Sequence, residues 1–240
     1  MGSLSIRGGA VGTGALGARG RTAVLPLALL VAAGALLLVG SPAQAQPRPS
    51  ALADPAANMP RTGAMDKACG ARPGPACQLA IVGAIDHARA AEGVGRLTLP
   101  PHYDSLSAAD QLLVLTNLER VARGLPGFTR LSAKLDGLAD KAARSNSDPL
   151  GPAGTTWGSN WAGGEASALL ADYDWMYDDG PGSPNLDCPS ASVSGCWDHR
   201  RNILGDYGPH PSMGAAATTV LDVTSMTELL SSAPAETLEY

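Results

Sequence analysis

The sequence predicts a mixed α/β fold of the α+β kind, and three observations carry that prediction. Apolar residues recur at three- and four-residue spacing in three stretches between residues 77 and 143, the period of amphipathic helices. One stretch, "MGAAATTVLDVTSM" at 213–226, places Thr and Val from Thr218 to Val223, residue types that suit a pleated surface. Runs rich in Gly, Pro and Ser separate these stretches and read as loops.

In chain order, Arg7, Arg19 and Arg21 precede an apolar run from Ala23 to Val39, and "SPAQAQP" follows. Ala43 and Ala45 hold the small-residue positions of a cleavage site, so residues 1–45 are expected to be a secretory signal peptide cut after Ala45. The alternative, an uncleaved anchor, has a run about as short as a spanning helix can be. After cleavage no membrane span is expected. Residues 46–66 are rich in Pro and Ala with no period and are expected to form a flexible lead-in.

All 22 acidic residues lie beyond the leader with 14 of the 17 basic ones, so the cleaved chain carries a net charge of −8. That excess of negative charge argues against nucleic acid as a partner, because phosphates need a basic face. Four cysteines in an exported chain point to disulfides. Seven residues separate Cys69 from Cys77, and seven separate Cys188 from Cys196. Of the three possible pairings the two local ones, Cys69–Cys77 and Cys188–Cys196, are favoured, each contributing roughly 2–3 kcal/mol by chain entropy. A zinc site would need tighter Cys/His spacing.

The first helix is expected from Cys77 to Glu92, with Leu79, Val82 and Ile85 on its apolar side and His87 in a solvated or packed position. It belongs to an N-terminal helical extension, residues 67–106, that carries the first disulfide. Ser107 and Asp110 resemble a capping box and open a helix through Leu125, with Leu115, Leu118 and Val121 on one side. Glu119 and Arg123 form an i,i+4 pair there. Ser132 caps the most regular helix, whose Leu135, Leu138, Ala139, Ala142 and Ala143 form one stripe. A loop follows from Asn146 to Trp157, then a helix from Glu165 to Tyr177, a loop to Cys196, and the strand. Residues 233–240 read as a loose tail.

Five short motifs appear in order: Asn117 and Arg120 in "TNLERVARGL", Gly158 and Asn160 in "WGSNWAGG", Trp175 and Met176 in "DWMYDDG", His199 through Leu204 in "HRRNIL", and "SMGAA" at 212–216. Their order resembles the CAP superfamily of secreted cysteine-rich and pathogenesis-related-type domains, in a divergent bacterial form, with the domain covering 107–232. The resemblance implies an α-β-α sandwich with a small antiparallel sheet between helices. It also implies a shallow cleft in which two histidines and two acidic residues hold a divalent metal. His199 matches one of those histidines. Ser159 stands where the family has a glutamate, no histidine lies in "AARSNSDPL", and the second acidic position falls near Asp178 or Asp179.

Three chemistries compete for this region. A Ser159–His199 hydrolase needs the two side chains within hydrogen-bond reach, and "GSNWAGG" lacks the "G-x-S-x-G" elbow. A divalent metal on His199 needs Glu165, Asp178 or Asp179 to converge on it. Alternatively, "CWDHRRNIL" is a disulfide-pinned loop in which His199 donates to a backbone carbonyl, Asn202 braces a turn, and Ile203 and Leu204 enter the core. Trp157 and Trp161 bracket Ser159 and Asn160 and would, if exposed, line a ligand groove. The sequence therefore predicts a secreted, extracellular binding module with an envelope component, lipid or protein as ligand. A metal-assisted or His-dependent peptidase-like hydrolase is the competing function, and a purely structural envelope protein the third.

Overall fold

The computed structural model describes residues 49–70 and 73–233. The expected signal peptide, residues 46–48 of the lead-in and the tail from 234 lie outside the described residues. The elements are α1 (Pro49–Leu52), α2 (Gly63–Cys69), α3 (Pro75–Glu92), a 3-10 turn (Tyr103–Ser105), α4 (Ala108–Ala122), α5 (Ala133–Arg144), β1 (Trp157–Gly163), α6 (Ala168–Tyr177), α7 (Asp198–Ile203), β2 (Ser212–Val220) and β3 (Val223–Ser231). Helices and a small antiparallel sheet thus make the mixed fold that the sequence predicts.

The sheet has the order β1-β3-β2, with the strand latest in the chain in the middle. Asn160 and Ala215 both sit opposite Glu228. Side chains alternate across a strand, so Asn160, Glu228 and Ala215 share one face while Trp161, Thr227 and Ala216 share the other. Helix α5 packs on the second face: Ala139 and Ala143 cluster with Ala216, and Thr227 Oγ1 donates to the Ala139 carbonyl at 2.9 Å. Contact there is close enough that a Cβ on Gly214 would lie 2.2 Å from the Leu135 carbonyl carbon, so only glycine fits. On the first face Ala162, Met213, Ala215, Met226 and Leu230 join Ile81, Leu112, Leu115, Trp175 and Ile203 in the main core.

Several expectations shift. The single strand at 213–226 is a hairpin, because Leu221 and Asp222 take left-handed backbone at φ 49° and 64° and turn the chain back. "WGSNWAG", for which the sequence predicts no strand, is an edge strand. Its glycines hide the usual strand signal, and its outer carbonyls are capped by side chains: Asn202 donates to Ser159 O at 2.8 Å and Trp175 Nε1 to Trp161 O at 3.4 Å. In α3 the buried stripe is Cys77, Ile81, Ile85 and Ala88, while Leu79 is 74% exposed. In α4 Val121 is exposed and the buried side holds Leu112, Leu115, Thr116, Glu119 and Arg120, a face that apolar counting passes over because it buries charges. The Ser107–Asp110 cap forms as read, whereas Ser132 makes no side-chain capping bond.

The lead-in is the largest correction. From Ala51 to Thr62 it is tied down as a strap. Ala51 O accepts from Arg123 Nε at 3.0 Å, Gly180 N donates to Asn58 Oδ1 at 2.6 Å, and Asn58 Nδ2 donates to Pro181 O at 2.6 Å. These partners lie more than a hundred residues away for Asn58, beyond any local pattern. Both local disulfides, Cys69–Cys77 and Cys188–Cys196, are present. Among the described residues no helix is long and apolar enough to cross a membrane.

Candidate functional site

Within segment 196–204, read in one alternative as a loop, Asp198–Ile203 form a helix. Cys196 is disulfide-bonded, Trp197 takes left-handed backbone at φ 63°, and α7 begins at Asp198. His199 in its first turn is fully buried. Asp179 holds it twice: the His199 N–H donates to Asp179 Oδ2 at 3.0 Å, and ring Nδ1 lies 2.5 Å from Oδ1. Asn185 Nδ2 donates to Asp179 Oδ1 at 2.6 Å and keeps that carboxylate in place. The opposite ring nitrogen, Nε2, has no hydrogen-bond partner, and the Trp175 ring lies 6.3 Å away, centroid to centroid. Burial opposes charging the imidazole, but Asp179, with Asp148 and Glu228 behind it, outweighs burial and raises its pKa.

A second polar group lies beside the first. Asn160 Nδ2 donates to Glu228 Oε1 at 2.7 Å and to the His199 carbonyl at 3.2 Å, and Thr116 Oγ1 donates to Glu228 Oε2 at 2.7 Å. Asn202 Nδ2 reaches Asn160 Oδ1 at 3.0 Å. Gly158 admits this packing, since a Cβ there would meet Tyr207 Oη at 2.4 Å and Asn202 Oδ1 at 2.7 Å. Burial pushes the Glu228 carboxyl up to about 7, against the pull of its two donors. Arg120 and Asn117 form a brace: Arg120 donates to the Ile203 and Gly205 carbonyls at 2.6 and 2.8 Å and stacks on Phe128, while Asn117 exchanges two bonds with Phe128.

The other candidate ligands turn elsewhere. Glu165 and Asp174 both pair with Arg61 of the strap, and Asp178 accepts from the Arg61 backbone. Burial raises Asp178 to about 6, and burial together with Glu165 raises Asp174 well above the usual carboxylate range. The residues present do not fit a divalent metal. His199 Nδ1 is committed to Asp179, its Nε2 is buried with no hydrogen-bond partner, and an arginine draws Glu165 and Asp178. Among the described residues no three His, Cys, Asp or Glu side chains gather closely enough to hold an ion.

The expected serine–histidine pair and tryptophan groove fare no better. Ser159 is buried, and strand alternation sends its side chain to the α5 face, opposite to Asn160, whose amide meets the His199 carbonyl. Trp161 is 4% exposed and donates from Nε1 to Ser225 Oγ at 2.6 Å, so it packs the sheet. Trp157 is half-buried against Gly151. The structure thus brings Asn160, His199 and Asn202 together, and leaves Glu165 and Asp178 with Arg61.

Sequence reading passed over Glu228, Thr116 and Arg61. A glutamate inside the apolar run "MTELL" was the available signal for Glu228. Deeper still, Glu119 is buried between Arg89 and Arg123 and accepts from Tyr177 Oη at 2.9 Å, while Arg123 and Arg200 converge on Glu92. Comparison with protein-family models, curated proteins and solved structures finds no match to this chain.

Proposed function

We propose that the chain is an exported CAP-like domain, an α-β-α sandwich, that acts at or outside the cell envelope by binding a ligand and not by turnover. One observation carries the choice against catalysis: His199 is fully buried, with its ring on Asp179. A general base has to reach the proton it takes. The order of the five motifs, the Asn117–Arg120 brace and the Asn160–Asn202 contact support the family reading. The leader and two disulfides support export. The ligand class remains an envelope component, a lipid or a protein.

Calorimetric titration with zinc and then calcium, run beside His199→Ala, tests this reading. No saturable heat is expected with either ion, and His199→Ala is expected to lower the melting temperature. Saturable heat that disappears in His199→Ala, or His199-dependent cleavage of a peptide or ester, overturns the binding reading in favour of a hydrolase.

A further inference from the structure

A cavity of about 410 Å³ lies under the strap. Ala56, Ala57 and Met59 roof it, and Ala88, Ala91 and the Tyr177 ring form its floor. Its volume falls in the range of small-molecule sites, which are mostly apolar. Both carboxylates on its lining are already taken: Asp54 pairs with Arg201 at 2.6 Å, and Glu92 with Arg123 and Arg200 at 2.6 and 2.9 Å. The Asn58 amide is engaged by Gly180 and Pro181. An occupant therefore meets alanine methyls, a thioether and a ring face, with no unpaired charge.

The roof is held in a manner that allows it to lift. No side chain from Leu52 to Pro60 is fully buried. Met59 packs in part on the main core, and polar contacts hold the rest of the stretch: the Asn58 pair of bonds, Met59 N to Tyr177 O at 2.9 Å, Tyr173 Oη to Met59 O at 2.6 Å, and the Asp54–Arg201 pair. Segments with few buried apolar groups open at low free energy. We propose that this cavity is a binding site for a small, neutral, apolar molecule, with residues 53–59 as its lid. The inference rests on reading the chain as a binding module, and it does not use the His199 side chain, which is not on the cavity lining.

The test uses the purified protein and the neutral fluorophore N-phenyl-1-naphthylamine. Saturable one-to-one binding is expected, displaced by 1-decanol and not by decylamine or decanoate. Ala91→Phe fills the cavity from α3 and Ala57→Phe fills it from the exposed lid, where folding is not at risk. Each is expected to weaken the probe at least tenfold with an unchanged near-ultraviolet dichroism spectrum. Asn58→Ala should speed probe release several-fold. Ala108→Phe, in the separate opening of about 450 Å³ between the starts of α3, α4 and α6, is expected to leave binding unchanged. No probe binding, native-like binding in both filling variants, loss of binding in Ala108→Phe, or equal displacement by the charged congeners overturns the site. Those results leave the binding reading standing, whereas His199-dependent turnover sinks that reading and leaves the cavity result intact.

Discussion

Glu228 receives hydrogen bonds from Thr116 and Asn160, yet its carboxyl is fully buried and titrates near 7, above its ordinary 4.5. A carboxyl raised in the folded state stabilises the fold fully below its unfolded pKa, and that stabilisation is lost as pH rises through the folded value. Glu228→Gln removes the titration and keeps the shape. It should match the native protein at pH 5 and exceed it at pH 8 by on the order of 2–3 kcal/mol, measured by urea unfolding at both pH values. An equal difference at the two pH values would place the proton elsewhere. His199 shows the same principle from the opposite charge: the residue that looked most reactive in the sequence is fully buried, with its ring nitrogen Nδ1 on the Asp179 carboxylate. The residue types of the site were legible, because His199, Asn160 and Asn202 stand out in short motifs. Their accessibility was not, because it depends on Asp179, 20 residues from His199, and on Glu228, 68 residues from Asn160.

At the scale of elements, α5 was readable because one clean stripe of Leu135, Ala139, Ala142 and Ala143 decides its face. Helix α4 was readable in extent and misread in orientation, since its buried side carries Glu119, paired with Arg123 and Arg89, and Arg120, which donates to backbone carbonyls. Strand β1 was hidden because glycine and asparagine replace β-branched residues, and neighbouring side chains cap its outer edge. The contact between α5 and β2 gives the sharpest element-level expectation. Gly214→Ala pushes a methyl into the Leu135 backbone, which cannot rotate away as a side chain can. It should destabilise the fold by about 2–3 kcal/mol, a fall of roughly 5–10 °C in the thermal midpoint by differential scanning calorimetry. A midpoint within a degree of the native one would show that α5 can shift outward.

For the molecule as a whole, four buried acids are shifted upward and Glu119 is shifted downward. Asp172 and Asp174 are raised well above the usual range, Asp178 to about 6 and Glu228 to about 7, chiefly by burial. His199 is raised as well, through Asp179 working against burial, and Glu119 is the buried carboxyl with the opposite shift, held down by Arg123 and Arg89 despite its burial. The folded state therefore binds more protons than the unfolded chain between about pH 4 and 7, so stability should fall as pH rises across that window. Melting temperatures at pH 5 are expected to exceed those at pH 8, and a protein more stable at pH 8 would mean these acids are ionised in the fold. The strand order carries a consequence in time. The sheet is built around β3, and β3 is synthesised after both of the strands it pairs. Until Ser231 has emerged, β1 and β2 have no common partner and Glu228 has not met Asn160 across 68 residues. The sheet therefore closes by pairing across long sequence separations, and such non-local pairing makes folding slow.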